Sequence, residues 1–167
     1  LNISTENNKM GKVYSFSLSP IVTCAMGIPC HRNCYAVKLA RLRTNVRNSW
    51  KENTEAIRNL PPKEIIDTLV GYINWTRCRY FRWNVSGDFN IRNYWDITVA
   101  VAEQCPETKF LAFTKCYWTA EKPRPENYNL VLSVWKEYKP RKITTGLAYY
   151  NDGTYPIPSN AKECPGN

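Results

Sequence analysis

The sequence predicts an α/β fold: a mainly parallel sheet, open or curled into a short partial (β/α) barrel, with flanking helices and a cluster-binding loop after the first strand. Three observations carry this. Runs of β-branched and aromatic residues alternate with segments of helical spacing, as in chains built from β-α units. At 167 residues the chain is long enough for one buried core and short for two, so residues 1–167 read as a single domain. Gly153, Pro156, Pro158 and Pro165 then mark an irregular tail from about residue 151.

Taken in order, residues 12–18 (Lys-Val-Tyr-Ser-Phe-Ser-Leu), with their β-branched and aromatic members, read as the first strand. A first helix begins after Cys34, with Tyr35, Leu39, Leu42 and Val46 along one face at spacings of three and four. A second helical stretch, from about Ser49 to Leu60, reads as its continuation. Pro61-Pro62 starts a further helix whose apolar stripe is Ile65, Ile66, Leu69, Val70 and Ile73, proline being suited to a first helical turn. Tyr80 to Val85 reads as the second strand, stopped by the turn-forming Ser86-Gly87-Asp88. Tyr94 to Glu103 is helical. Lys109 to Lys115 and Asn129 to Val134 are the third and fourth strands, joined by a proline-containing loop with at most a short helix, and Ile143 to Tyr149 supplies a fifth.

Parallel sheets place their ligand sites beyond the carboxyl ends of the strands. The residues that follow each strand are therefore the candidate site: Cys24, Cys30 and Cys34 after the first, Ser86-Gly87-Asp88 after the second, Thr114-Lys115 after the third, and Ser133 near the end of the fourth.

The three cysteines stand at C-x5-C-x3-C on one strand-to-helix loop. Soft thiolates at short spacing on a wrapping loop suit a [4Fe-4S] cluster, and Gly27 and Pro29 help the loop turn while Arg32 offsets the cluster's charge. Three local thiolates leave one metal corner open, to be filled by a substrate, a cofactor, His31 or the distant Cys164. A Cys3His zinc site is the main competitor, although the paired C-x2-C spacing of zinc modules is absent. The plainest alternative is three incidental core thiols. Cys78, Cys105 and Cys116 each stand alone near an element end, where a packing role is the simpler reading.

Seven cysteines in a chain with no signal-peptide pattern argue against a disulfide scaffold. No run of apolar residues is long enough for a membrane span, so a cytosolic protein is the default. The net charge of +9 favours an anionic ligand or a nucleic acid as partner. Arg32, Lys38, Arg41, Arg43, Arg47 and Lys51 concentrate that excess, with a solvated helix face as the plain explanation. Aromatic residues make up 13% of the chain; Tyr117-Trp118 and Tyr149-Tyr150 are candidates for a ligand surface, while Trp83 reads as core.

The run from Cys24 to Ala36, the segment Phe81 to Phe89 and Phe113-Thr114-Lys115 together resemble the phage-encoded gene product 88 family, which is uncharacterised in function. The resemblance spans most of the chain and implies the cytoplasm of an infected bacterial host. The order of cysteine loop ending in Cys-Tyr-Ala, strand ending in Thr-Lys and later strand ending in Ser-Val is also similar to proteins of the radical S-adenosylmethionine superfamily. That second resemblance implies that Cys24, Cys30 and Cys34 hold the cluster, that S-adenosylmethionine takes the open iron, and that Ser86, Gly87, Asp88 and Lys115 contact the cofactor. The chain departs from the superfamily in its wider cysteine spacing, in Asn33 before the last cysteine, and in its short length. A non-catalytic iron-sulfur protein and a zinc-stabilised nucleic-acid-binding protein are the competing expectations.

Overall fold

The computed structural model describes residues 1–5, 11, 13–134, 145–149 and 157–159. Its centre is a six-stranded sheet whose spatial order follows the chain. The strands are β1 (Ile3–Ser4), β2 (Tyr14–Phe16), β3 (Tyr80–Trp83), β4 (Lys109–Thr114), β5 (Tyr128–Val134) and β6 (Gly146–Tyr149). From β2 to β6 every pairing is parallel, and β1 alone runs antiparallel, on the outer edge of β2. Helices α1 (Tyr35–Leu42), α2 (Thr44–Asn59) and α3 (Pro62–Thr76) lie between β2 and β3, and α4 (Tyr94–Gln104) between β3 and β4. The α/β architecture is the one expected from the sequence.

Because each parallel step moves the same way across the sheet, right-handed crossovers place the connecting helices on one face. The core forms there: Ile65, Leu69 and Ile73 of α3 and Ile97 and Val101 of α4 pack with Phe16, Phe81, Trp83, Phe110, Ala112, Leu130 and Leu132. Trp83 and Phe110 stack with ring centroids 5.8 Å apart at an interplanar angle of 10°, which offset arrangement suits aromatic quadrupoles. Residues on the opposite face, Arg82, Leu111, Phe113, Val131 and Ser133, are only half-buried. The strands consequently alternate, where parallel strands covered on both sides read as continuous apolar runs.

The amino ends of the strands are tightly closed. Asn127 brings its amide nitrogen within 3.0 Å of the carbonyl oxygens of Ala102, Cys105 and Thr108. Thr108 donates to the Cys78 carbonyl at 2.6 Å, the Cys78 thiol reaches the Tyr80 carbonyl at 3.2 Å, and the Cys105 thiol lies 3.9 Å from Asn74 Oδ1. Both cysteines are buried, in keeping with a packing role.

Two local expectations are corrected. The helical stretch after Ser49 does not continue the first helix: Arg43 adopts an extended conformation and separates α1 from α2, which starts at Thr44. The apolar stripe on α1 is not packed inward either. Ala36 is the buried residue of that helix, while Tyr35, Leu39 and Leu42 are exposed, because the short helix rides outside the layer that α3 and α4 fill. The expected irregular tail lies mostly outside the described residues. No described helix is long and apolar enough to cross a membrane.

Candidate metal centre at the carboxyl ends of the strands

After β2 the chain enters a loop that carries all three candidate thiols before α1 begins. Ile21 takes a left-handed conformation and accepts from the Cys24 N–H at 3.1 Å, closing a first turn. Gly27, at φ +70°, makes a second. A short 3-10 turn, Pro29–Asn33, then presents Cys30 and His31, with the buried Ile28 anchoring its start.

This loop is tied to the segment after β3 by backbone groups. Leu18 N–H donates to the Ser86 carbonyl at 3.0 Å, and Asn90 N–H to the Thr23 carbonyl at 3.1 Å. The Asn90 amide donates to the Cys24 carbonyl at 3.1 Å. Thr23, fully buried, donates to the Ser19 carbonyl at 2.7 Å and accepts from the Asp88 N–H at 3.3 Å. Gly87 is required twice over. Its φ is +79°, and a Cβ there would stand 2.5 Å from Thr23 Oγ1 and 2.8 Å from Leu18 Cβ.

Asp88 joins β3 to β4. Its Oδ1 accepts from the Phe89 N–H at 2.8 Å and the Thr114 hydroxyl at 2.5 Å, and its Oδ2 accepts from the Lys115 N–H at 2.8 Å. The carboxyl is buried, and this burial lifts its pKa above the ordinary value against the lowering pull of the Thr114 hydroxyl and the Lys115 charge. Asp88 therefore acts in the described structure as a brace between loops. The hydroxyl of Ser86, two residues earlier, is buried without a hydrogen-bond partner.

Cys24, Cys30 and Cys34 are half-buried free thiols. Burial, then the Asp88 carboxylate, pushes the Cys24 thiol up to about 12, with Lys115 opposing and Cys30 adding to the rise. Cys30 is pushed up by burial, with Cys34 and Asp88 adding and Lys115 opposing. Tyr35 is raised by burial too; Arg82 opposes the rise and all three cysteines add to it. Cys24 and Cys30 thus share one electrostatic neighbourhood with Asp88 and Lys115. His31 Nε2, on the same loop, is buried without a partner. Among the described residues no group of three or more His, Cys, Asp or Glu side chains is placed to hold a metal ion.

The family model for gene product 88 matches residues 2–158. The chain belongs to the gene product 88 family. No curated protein and no solved structure matches it.

The remaining candidates fall elsewhere. Cys164 and Tyr150 lie outside the described residues. Trp83 is core. The Tyr117 hydroxyl donates to the Ser133 carbonyl at 2.7 Å, and Trp118 packs edge-on against Trp95. Cys116 is buried beside Thr114, whose hydroxyl accepts from the Cys116 N–H at 2.9 Å. Two residues at the site escaped the sequence reading. Thr23 had a faint signal in its four-residue spacing from Ser19, and Tyr35, read only as a member of an apolar helix face, donates its hydroxyl to the Val85 carbonyl and pins α1 to the end of β3.

Proposed function

We propose that the chain is an iron-sulfur protein that holds a [4Fe-4S] cluster through Cys24, Cys30 and Cys34. The observation that carries this reading is the gathering, on one braced loop at the carboxyl ends of parallel strands, of three unpaired half-buried thiols beside an imidazole nitrogen that lacks a partner. A cubane takes its thiolates at separate iron corners, whereas a lone zinc ion takes all its ligands at one point. The nearby Lys115 charge favours the thiolate forms that ligation needs, against the burial that disfavours them. Metal loading must therefore release protons.

Three thiolates leave a fourth corner, for which His31 Nε2 is the candidate within the loop. The competing occupant is S-adenosylmethionine, whose chelation of an open iron would make the chain a minimal radical enzyme. In that case the Ser86 hydroxyl has spare hydrogen-bonding capacity, while the Asp88 carboxylate already accepts from three donors.

Anaerobic purification with iron, sulfide and zinc analysis tests the proposal. The expected result is a brown protein with iron and acid-labile sulfide in equal amounts, lost together in a Cys24→Ser, Cys30→Ser, Cys34→Ser triple variant. Stoichiometric zinc without sulfide would replace it with the zinc reading. A cluster signal altered by added S-adenosylmethionine would assign the open corner to that cofactor.

A further inference from the structure

We propose that the surface flanking the cysteine loop docks a small acidic electron-carrier protein, an inference that rests on the iron-sulfur reading for the carrier's redox role. The surface has an apolar centre. Val22 and Met26, two residues either side of Cys24, are 58% and 86% exposed. Tyr35, Leu39 and Leu42 follow one another at spacings of four and three, so they share one face of α1, and they are 59%, 36% and 80% exposed. A helix with that spacing ordinarily buries its stripe, yet this one turns it to solvent.

Exposed cations are interleaved with these residues along the chain. Arg32, Lys38, Arg41, Arg43 and Arg47 are all exposed. Residues 7–51 contain no Asp or Glu at all, and both ion pairs found in the described structure, Arg58 with Glu55 and Lys63 with Asp67, lie beyond that span. An apolar centre with a charged rim is the anatomy of a protein interface, and a rim of one sign selects a partner of the other and steers its approach.

The composition favours a protein over the other anionic partners. Single-stranded nucleic acid is held by free aromatic faces, whereas the centre here is mainly aliphatic and its aromatic member, Tyr35, is fastened through its hydroxyl to the Val85 carbonyl. The position supplies the role. Cys24 lies between Val22 and Met26, and Cys34 immediately precedes Tyr35, so a protein seated on these residues brings its own redox group beside the cysteine loop. With a cluster held by Cys24, Cys30 and Cys34, the exchange would be a one-electron transfer in which the reduced carrier gives up one electron to it, with no bond formed or broken.

A reduced plant-type [2Fe-2S] ferredoxin, small and acidic, serves as the probe in calorimetric titrations of both the iron-loaded and the chelator-stripped chain. Binding is expected to both forms, weakened about tenfold or more when salt rises from about 0.05 to 0.3 M. An Arg32→Glu, Arg43→Glu double variant and a Leu42→Ser variant should each weaken it by about tenfold, and Lys63→Glu, away from the surface, should leave it unchanged. Circular dichroism verifies that each variant is folded. Absence of binding, equal binding by the charge-reversed variant, or preferential capture of a single-stranded oligonucleotide or a phosphatidylserine vesicle by the same residues would overturn the proposal. An iron-loaded chain that ignores the ferredoxin sinks the docking alone. A chain that takes up no iron yet binds it sinks the cluster reading and leaves an acidic-protein interface.

Discussion

The two ends of the sheet use the same residue types to opposite effect. At the amino ends, Cys78 and Cys105 are buried, their thiols directed at the Tyr80 carbonyl and the Asn74 amide oxygen, and Asn127 gathers three carbonyls. At the carboxyl ends the backbone is equally well tied, by Thr23, Asp88 and Thr114, but the side chains that could ligate are left over: three half-buried thiols and His31 Nε2. Buried polar groups are normally satisfied. One end thus satisfies its buried groups within the fold, while the other keeps thiols and an imidazole nitrogen unused, and it is on this surplus that the iron-sulfur proposal rests.

The sharpest way to break this contrast is at Gly87. Replacing it with Ala forces a Cβ against Thr23 and Leu18 at a positive φ, and should cost about 3 kcal/mol in urea unfolding while also loosening the cysteine loop and, under the iron-sulfur proposal, lowering the iron bound. A wild-type-like midpoint would mean that the loops are not braced through this residue. The cysteine exchange is gentler and more informative. Cys78→Ser and Cys105→Ser, which put a hydroxyl into the core, should each lose about 1–2 kcal/mol and keep iron. Cys24→Ser, Cys30→Ser and Cys34→Ser should lose iron with about 0.5 kcal/mol or less of effect on the metal-free fold. If both sets behaved alike, the distinction between the two ends would fall.

Near pH 9, where the titration only begins, the smallest expected effect is a pH drift in the metal-free chain. With the Cys24 thiol raised from 9.0 to about 12, the folded form holds this proton more tightly than the unfolded one. Its contribution is complete below pH 9 and is lost as pH climbs toward 12. Cys78, raised to about 11, acts in the same sense. The urea midpoint should therefore fall above pH 9, and less steeply in Cys24→Ser; a midpoint that rose with alkali would contradict the burial of these thiols.

The parallel strands were legible as short β-branched and aromatic runs set between segments of helical spacing or turn-forming residues, and α3 because Pro61-Pro62 and its stripe state both its start and its buried side. Other features left no such trace. Two-residue β1 is too short for any period, and it is held in part by Asn53, whose amide donates to the Asn2 and Ser17 carbonyls from an otherwise polar stretch of α2. The break at Arg43 has neither Gly nor Pro to announce it. The α1 stripe was visible as a period, but a period does not say whether a neighbour covers it. Asp88 was ambiguous for a similar reason: a carboxylate after Ser-Gly suits a brace as well as a receptor, and only the positions of Thr114 and Lys115 decide which donors it meets.

The strand order has a consequence for how such a molecule can change. On one flank the reversed strand β1 ends the succession of parallel steps, while on the other the outer edge of β6 is the last rung of the described ladder. The cysteine loop leaves the sheet at β2, so whatever happens at β6 reaches it only through four successive strand pairings.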